Sequence, residues 1–169
     1  VVIPDINREG AEAYAATLPD AMAAVIDISS RDSAEAGVAE TLARYGRIDI
    51  LVNNAGVNSF VHRVNIDSFP LEEWERITRI DLDGLYLMSH AALQPMVKQG
   101  EGGRIINIAS VVGLAAMRLQ SPFVAAKAGI IHMTRSMALE LGPQGILTNA
   151  IAPGSIMTEG TRSLFYGAD

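Results

Sequence analysis

The chain has 169 residues, 49% hydrophobic and 19% charged, enough for one domain with a core and ordinary for a globular protein. Its net charge of −6 argues against nucleic acid or an anionic membrane surface as main partner, since both select a cationic face. It has no cysteine, which excludes disulfides and thiolate metal sites and accords with a cytoplasmic setting. No run approaches the roughly 18 apolar residues of a membrane span.

Val1-Val2-Ile3 reads as the tail of a strand, so the sequence is expected to start part-way into a protein. Strand and helix then alternate, which predicts an α/β fold with a parallel sheet. Val1 to Pro4 is a strand end, and Asn7 caps a helix to about Leu18. Ala21 to Ile26 is a second strand. A helix opens at Ser30 or Asp32, carries Val38, Leu42 and Tyr45 near helical spacing, and stops at Gly46. Ile48 to Val52 is a strand without a polar face, as expected of one covered on both sides. Pro70 starts a helix to about Gln99 with Trp74, Ile77, Leu85 and Met88 as its stripe. Arg104 to Ile108 is a strand, Ser121 to Leu141 a helix, and Leu147 to Ile151 the last strand. No repeat or linker interrupts the chain, so one domain over 1–169 is the simplest division.

Several residues at strand ends carry chemistry. Asp5 can accept from two ribose hydroxyls and repel a 2′-phosphate, or simply cap a turn. Asp27 can accept from an adenine amino group, or hold a helix-entry turn. Asn53-Asn54-Ala55-Gly56 follows a strand directly, and its small residues permit close approach of a ligand. Ser110 closes Ile106-Asn107-Ile108-Ala109-Ser110. Phe123 and Lys127, four apart, share one helical face. A lone lysine on a helix is usually a solvated charge, but Ala125, Ala126, Ala128 and Gly129 leave room around this one. Pro153-Gly154-Ser155-Ile156-Met157-Thr158 offers close backbone approach and a hydroxyl, or an ordinary turn.

Taken in order, Asp5, Asn53-Asn54-Ala55-Gly56, Ser110, Lys127 and Pro153-Gly154 with Thr158 resemble the classical short-chain dehydrogenase/reductase family across essentially the whole chain. The resemblance implies a Rossmann-like, doubly wound parallel sheet with helices on both faces. It implies hydride transfer between a nicotinamide, NAD rather than NADP given Asp5, and an alcohol or carbonyl compound. Ser110 would polarise the carbonyl, and Lys127 would bind the ribose and lower the pKa of a catalytic tyrosine. Asp5 and Asp27 would hold the adenosine end. Asn53, Ala55 and Gly56 would line the groove, with Pro153, Gly154, Ile156 and Thr158 near the nicotinamide.

Three departures stand out. Phe123 occupies the tyrosine position and has no acidic proton, and loss of a general acid typically costs about 10²- to 10⁴-fold in rate. Asp81, in Arg79-Ile80-Asp81-Leu82, stands where the family often has an asparagine, and can pair with Lys127. The family's glycine-rich phosphate turn and its central strand, in the order 3-2-1-4-5-6, have no counterpart in the sequence. The strands ending at Asp5 and Val52 are therefore expected to show unpaired edges, and the domain to be incomplete at both ends.

The leading expectation is an NAD-linked oxidoreductase impaired at Phe123. The alternative is a catalytically silent relative that binds a nucleotide or a protein. A substitute acid from His62 or the Tyr166 segment is a variant, with a surface histidine the blander reading. His62, His90 and His132 lack the spacing of a metal site. The two long helices carry Leu85, Leu87, Met88, Leu93, Ile130, Ile131, Met133 and Met137 over more than one face. That suggests a homodimer or homotetramer, or cover by other segments of the chain. Segments Val57 to Ser68 and Val111 to Pro122, with the region after Thr158, would form the substrate pocket. The second is apolar through Val111, Val112, Leu114, Ala115, Met117 and Leu119, which fits a substrate with an apolar part.

Overall fold

A computed structural model describes residues 1–59, 61–157 and 162. Strand β1 (Val2–Asp5) leads into helix α1 (Arg8–Ala15), where the Asn7 side chain accepts from the Gly10 amide at 3.2 Å. Strand β2 (Met22–Val25) returns parallel to β1, with Val2 beside Met22 and Asp5 beside Val25. Helix α2 (Arg31–Tyr45) takes Ser30 as its cap and ends at Gly46, which has a φ of 74°. Strand β3 (Ile50–Asn53) precedes α3 (Leu71–Thr78) and α4 (Gly84–Gln99). These two helices run on as one rod, but Arg79–Asp83 between them is a π turn, which the sequence pattern did not announce. Strand β4 (Gly103–Ile108), helix α5 (Ser121–Leu141) and strand β5 (Ile146–Ile151) follow.

The fold is α/β, with parallel sheets flanked by helices. Among the described residues the sheets are two: β1-β2, and β3-β4-β5. No backbone ladder joins β1 to β3, which is the expected pair of unpaired edges. One apolar core nevertheless spans both, from Ala24 and Ile26 through Val38 and Met88 to Ile105, Leu141 and Ile146.

Register and the two-residue period place Leu51, Asn53, Ile105, Asn107, Ile146 and Thr148 on one face of β3-β4-β5, under α4 and α5. The opposite face is open: Ile50 is 60% exposed, Val52 51% and Ile151 52%. The expectation that the third strand is covered on both sides is therefore corrected. Its apolar residues suit burial, but among the described residues no helix lies over that face. The reasoning from apolar helix faces is corrected as well. Leu85, Met88, Ile130, Ile131 and Met137 are buried within this chain, and Leu87, Leu93 and Met133 pack partly buried against the same cores. Among the described residues no helix is long and apolar enough to cross a membrane.

The covered face holds a polar chain as well as apolar packing. Asn53 Nδ2 donates to Ser89 Oγ at 3.0 Å and to Asn107 Oδ1 at 2.9 Å. Asn107 Nδ2 donates to Thr134 Oγ1 at 2.9 Å, and Thr134 in turn donates to the Ile130 carbonyl at 2.7 Å. Asn107 has no exposed surface, so removing its amide strands groups that water cannot reach. We predict that Asn107→Ala destabilises the chain by about 2–3 kcal/mol. Urea unfolding should show a lower midpoint at an unchanged slope, and a loss below about 0.5 kcal/mol would refute a role for the network.

Candidate active site

Gly56, Asp81, Ser110, Phe123 and Lys127 gather where the carboxyl ends of β3 and β4 meet the first turns of α5. β4 ends at Ile108, and Ser110 follows in extended backbone, its Oγ accepting from the Val112 amide at 3.4 Å. The Val111 amide donates to the Pro153 carbonyl at 3.0 Å, which joins the Ser110 turn to the Pro153-Gly154 segment after β5. The same turn lies directly on α5. A Cβ at Gly113 would stand 2.7 Å from the Lys127 backbone carbonyl, so only glycine permits this approach.

Lys127 projects inward from α5 and is 6% exposed. Its Nζ lies 3.2 Å from Asp81 Oδ2, a carboxylate with no exposed side-chain surface. Beyond this ion pair, Oδ2 has no hydrogen-bond partner among the described residues. Asp81 Oδ1 accepts from the Val57 amide at 2.6 Å, and Lys127 Nζ donates to the Ile108 carbonyl at 3.4 Å. The Phe123 ring stands with its centroid 5.4 Å from Nζ, within cation–π range. Gly56 backs on to the pair, since a Cβ there would lie 3.1 Å from Nζ and 3.3 Å from Asp81 Oδ1. The π turn that carries Asp81 is the kind of helix irregularity that often marks functional sites.

The remaining residues lie at varying distance from this centre. Asn53 is 9% exposed and its amide nitrogen is engaged in the buried network, whereas Ala55 and Gly56 are exposed. Asp5 Oδ1 accepts from the Asn7 amide at 2.8 Å. Asp27 Oδ1 accepts from the Ser29 amide at 2.9 Å and the Ser29 hydroxyl at 2.7 Å. Both acidic residues thus hold local turns, the blander of the two roles open to them, and both remain exposed. Pro153 is half-buried, and Gly154 and Ile156 are exposed. Thr158 and Tyr166 lie outside the described residues. The His62 ring stands edge-on to Phe69, with centroids 6.3 Å apart. Among the described residues no group of three or more His, Asp or Glu side chains is placed to hold a metal ion. A cavity of about 410 Å³ opens elsewhere, between α5 and β5, lined by Ile131, Arg135, Thr148 and Ala152 among others.

A family model described as short chain dehydrogenase matches residues 1–168. The chain belongs to the short-chain dehydrogenase family. It is 38% identical to the 3-oxoacyl-[acyl-carrier-protein] reductase FabG of Chlamydia trachomatis, over 97% of this chain and 66% of that protein. Over 68% of this chain and 43% of the relative, it is 47% identical to D-beta-hydroxybutyrate dehydrogenase of Rhizobium meliloti. Among solved structures, a gluconate 5-dehydrogenase of Burkholderia cenocepacia in complex with NADP and tartrate superposes with a TM-score of 0.90 at 36% identity. That match covers 98% of this chain and 65% of the other. A 3-ketoacyl-(acyl-carrier-protein) reductase of Brucella melitensis complexed with NADH gives 0.92 at 30% identity, covering 98% and 69%. The chain thus spans about two thirds of the length of these relatives, and 43% of the hydroxybutyrate dehydrogenase.

Within this short-chain dehydrogenase the fold brings Asp81, Phe123, Lys127, Gly56 and the turn after Ser110 together. Sequence reasoning missed a further contact. Asn58 Nδ2 donates to Gln120 Oε1 at 2.8 Å, linking the two segments expected to flank a substrate. Leu119, just before Gln120, has a φ of 63°, rare for a side chain of its size. No local pattern announces a contact between residues this far apart in sequence. Gly113, three residues after Ser110, was a readable signal of close packing.

Burial raises the Asp81 carboxyl above its ordinary pKa, and Lys127, the Val57 amide and Arg76 offset this only in part. The folded chain therefore binds this proton more tightly than the unfolded chain does. Its contribution to stability is greatest below about pH 4 and falls as pH rises through the window up to the raised value. Asp81→Asn removes that window. We predict that the stability of the parent relative to Asp81→Asn declines as pH rises from about 4 through the raised value, then levels. Urea unfolding at a series of pH values measures it, and a difference constant with pH would refute it.

Proposed function

We propose that this chain carries the site of an NAD-linked oxidoreductase interconverting an alcohol and a carbonyl compound, with its proton-transfer step impaired at Phe123. The observation that carries the reading is the placement of Phe123 over a buried Lys127, beside the Ser110 turn, at the carboxyl ends of parallel strands. Ligands of open α/β sheets bind at such ends. In this reading residues 1–169 act as one dinucleotide-binding domain.

The residues present fit a dinucleotide at the ends they would hold. Asp5 is an exposed carboxylate at a strand end with only Oδ1 engaged, which suits ribose hydroxyls and disfavours a 2′-phosphate. Ala55 and Gly56 offer exposed backbone without bulk, and among the described residues nothing lies within 4 Å of a Cβ built at Gly154. Asp27, Pro153, Ile156 and Thr158 are assigned to the same cofactor by family position, and Asn53 by its place under the groove. A bound NAD would supply the hydride acceptor. Ser110 Oγ, held by the Val112 amide, orients and polarises the substrate oxygen. Lys127 takes the place of the ribose-binding and tyrosine-tuning lysine, with Asp81 as its counter-charge. The hydroxyl that would carry the proton is absent, because the Phe123 ring fills its place with an apolar edge. The apolar segment around Val111, Leu114 and Met117, each exposed, suits a substrate with an apolar part. A homodimer or homotetramer would rest on the exposed Tyr86, Val97 and Leu139 of α4 and α5.

A second reading, a nucleotide-binding module without turnover, draws on the same Phe123 and on Asp81 holding the lysine. One substitution separates the two. Phe123→Tyr restores a proton donor with little change of shape. NAD-linked oxidation across a panel of secondary alcohols is then expected to rise about 10²-fold or more. A chain that binds NAD by calorimetry yet shows no rise would support the second reading instead.

A further inference from the structure

We infer that Asp81 is a positioning residue that closes Lys127 into an internal ion pair, so that positions 81 and 123 together set the proton chemistry of this site. The inference rests on the functional reading above and adds a second residue to it.

The ammonium is surrounded by its own protein. Asp81 Oδ2 lies at 3.2 Å, the Ile108 carbonyl accepts at 3.4 Å and the Phe123 ring lies at 5.4 Å. Gly56 covers the pair from the Asn-Asn-Ala-Gly turn, at a distance a single Cβ would close. Asp81 is itself fixed. The Val57 amide holds Oδ1, and the next residue, Leu82, packs against Gly129, where a Cβ would stand 3.0 Å from Leu82 Cδ1.

The electrostatic consequence is direct. A cation with a carboxylate at contact distance acts on a third group as a short dipole, and its field falls off far faster than that of a bare charge. A phenol placed at position 123 would feel little of the Lys127 charge while Asp81 is ionised. Of the other charged groups packed here, Arg76 on α3 also acts on Asp81, but Glu73 holds it at 2.7 Å. Residues 54–59 and 105–110 bring no charged side chain.

The test is ultraviolet titration of the phenol introduced by F123Y, read as the difference from the matching chain with Phe123. It is carried out on the full chain as F123Y, D81N/F123Y and D81N/F123Y/K127M. Adding D81N is expected to raise the ionisation constant of the phenol about tenfold or more, as an unmatched cation within hydrogen-bonding range does. Removing both partners, in D81N/F123Y/K127M, is expected to leave it within about threefold of F123Y, because the pair then leaves as a neutral unit. Equal titration with and without D81N, or a tenfold difference between F123Y and the triple variant, overturns the inference. If D81N/F123Y does not unfold cooperatively, the triple variant, which leaves no charge unmatched, decides. The titration reads ionisation and not turnover. An F123Y chain without NAD-linked activity would therefore count against the functional reading and leave this measurement intact.

Discussion

The hydrogen bond from Asn53 to Asn107 ties β3 to β4 at the level where both strands hand over to the loops of the site. Gly56 lies three residues beyond one partner and Ser110 three beyond the other. Through Asn107 the network continues to Thr134 on α5, two helical turns after Lys127. Three segments distant in sequence are thereby held in mutual register by buried side chains. Polar groups in that position are unforgiving, because each needs its partner, and so they specify one arrangement where an all-apolar face would tolerate several. The placement of the ion pair depends on this: Lys127 and the Asn-Asn-Ala-Gly turn meet because Asn53, Asn107 and Thr134 meet first.

The helix Ser121–Leu141 was readable end to end. Proline in its first turn and Gly142-Pro143 behind it mark both ends, and periodicity fills the interval. Parallel pairing followed from the alternation of elements. The cover on β3 did not. Ile50 and Val52 record what the strand is suited to touch, whereas exposure depends on which segments lie over it. The π turn at Arg79–Asp83 was not legible, because Trp74, Ile77, Leu85 and Met88 read as the stripe of one continuous helix. In the site, the strand-end residues were legible because loops after parallel strands are where α/β chains place chemistry. The Asn58–Gln120 bridge was not, because two amides in separate loops carry no pattern.

The small residues around Lys127 show how one sequence feature can lead to the right place for the wrong reason. Ala125, Ala126, Ala128 and Gly129 suggest room for a ligand. In the structure much of that room holds protein: Gly129 receives Leu82, and the backbone of Lys127 and Ala128 receives the Gly113 turn. Close packing of this kind brings the π turn against α5 and delivers Asp81 to the lysine. A buried ion pair is weak evidence of added stability, since desolvation offsets most of the attraction, but breaking one partner away from the other is costly. The arrangement is therefore better understood as a constraint on where charge can reside than as a source of stability. With Phe123 alone, a cation would be left facing an inert ring, a half-dismantled site. With Asp81 present, the cation has a counter-charge, the counter-charge has an amide, and the ring lies over a pair that is already matched. The two departures from the family pattern are thus mutually consistent in physical terms. In the proposed reading, Phe123 removes the group that would have used the lysine's field, and Asp81 absorbs the field left over.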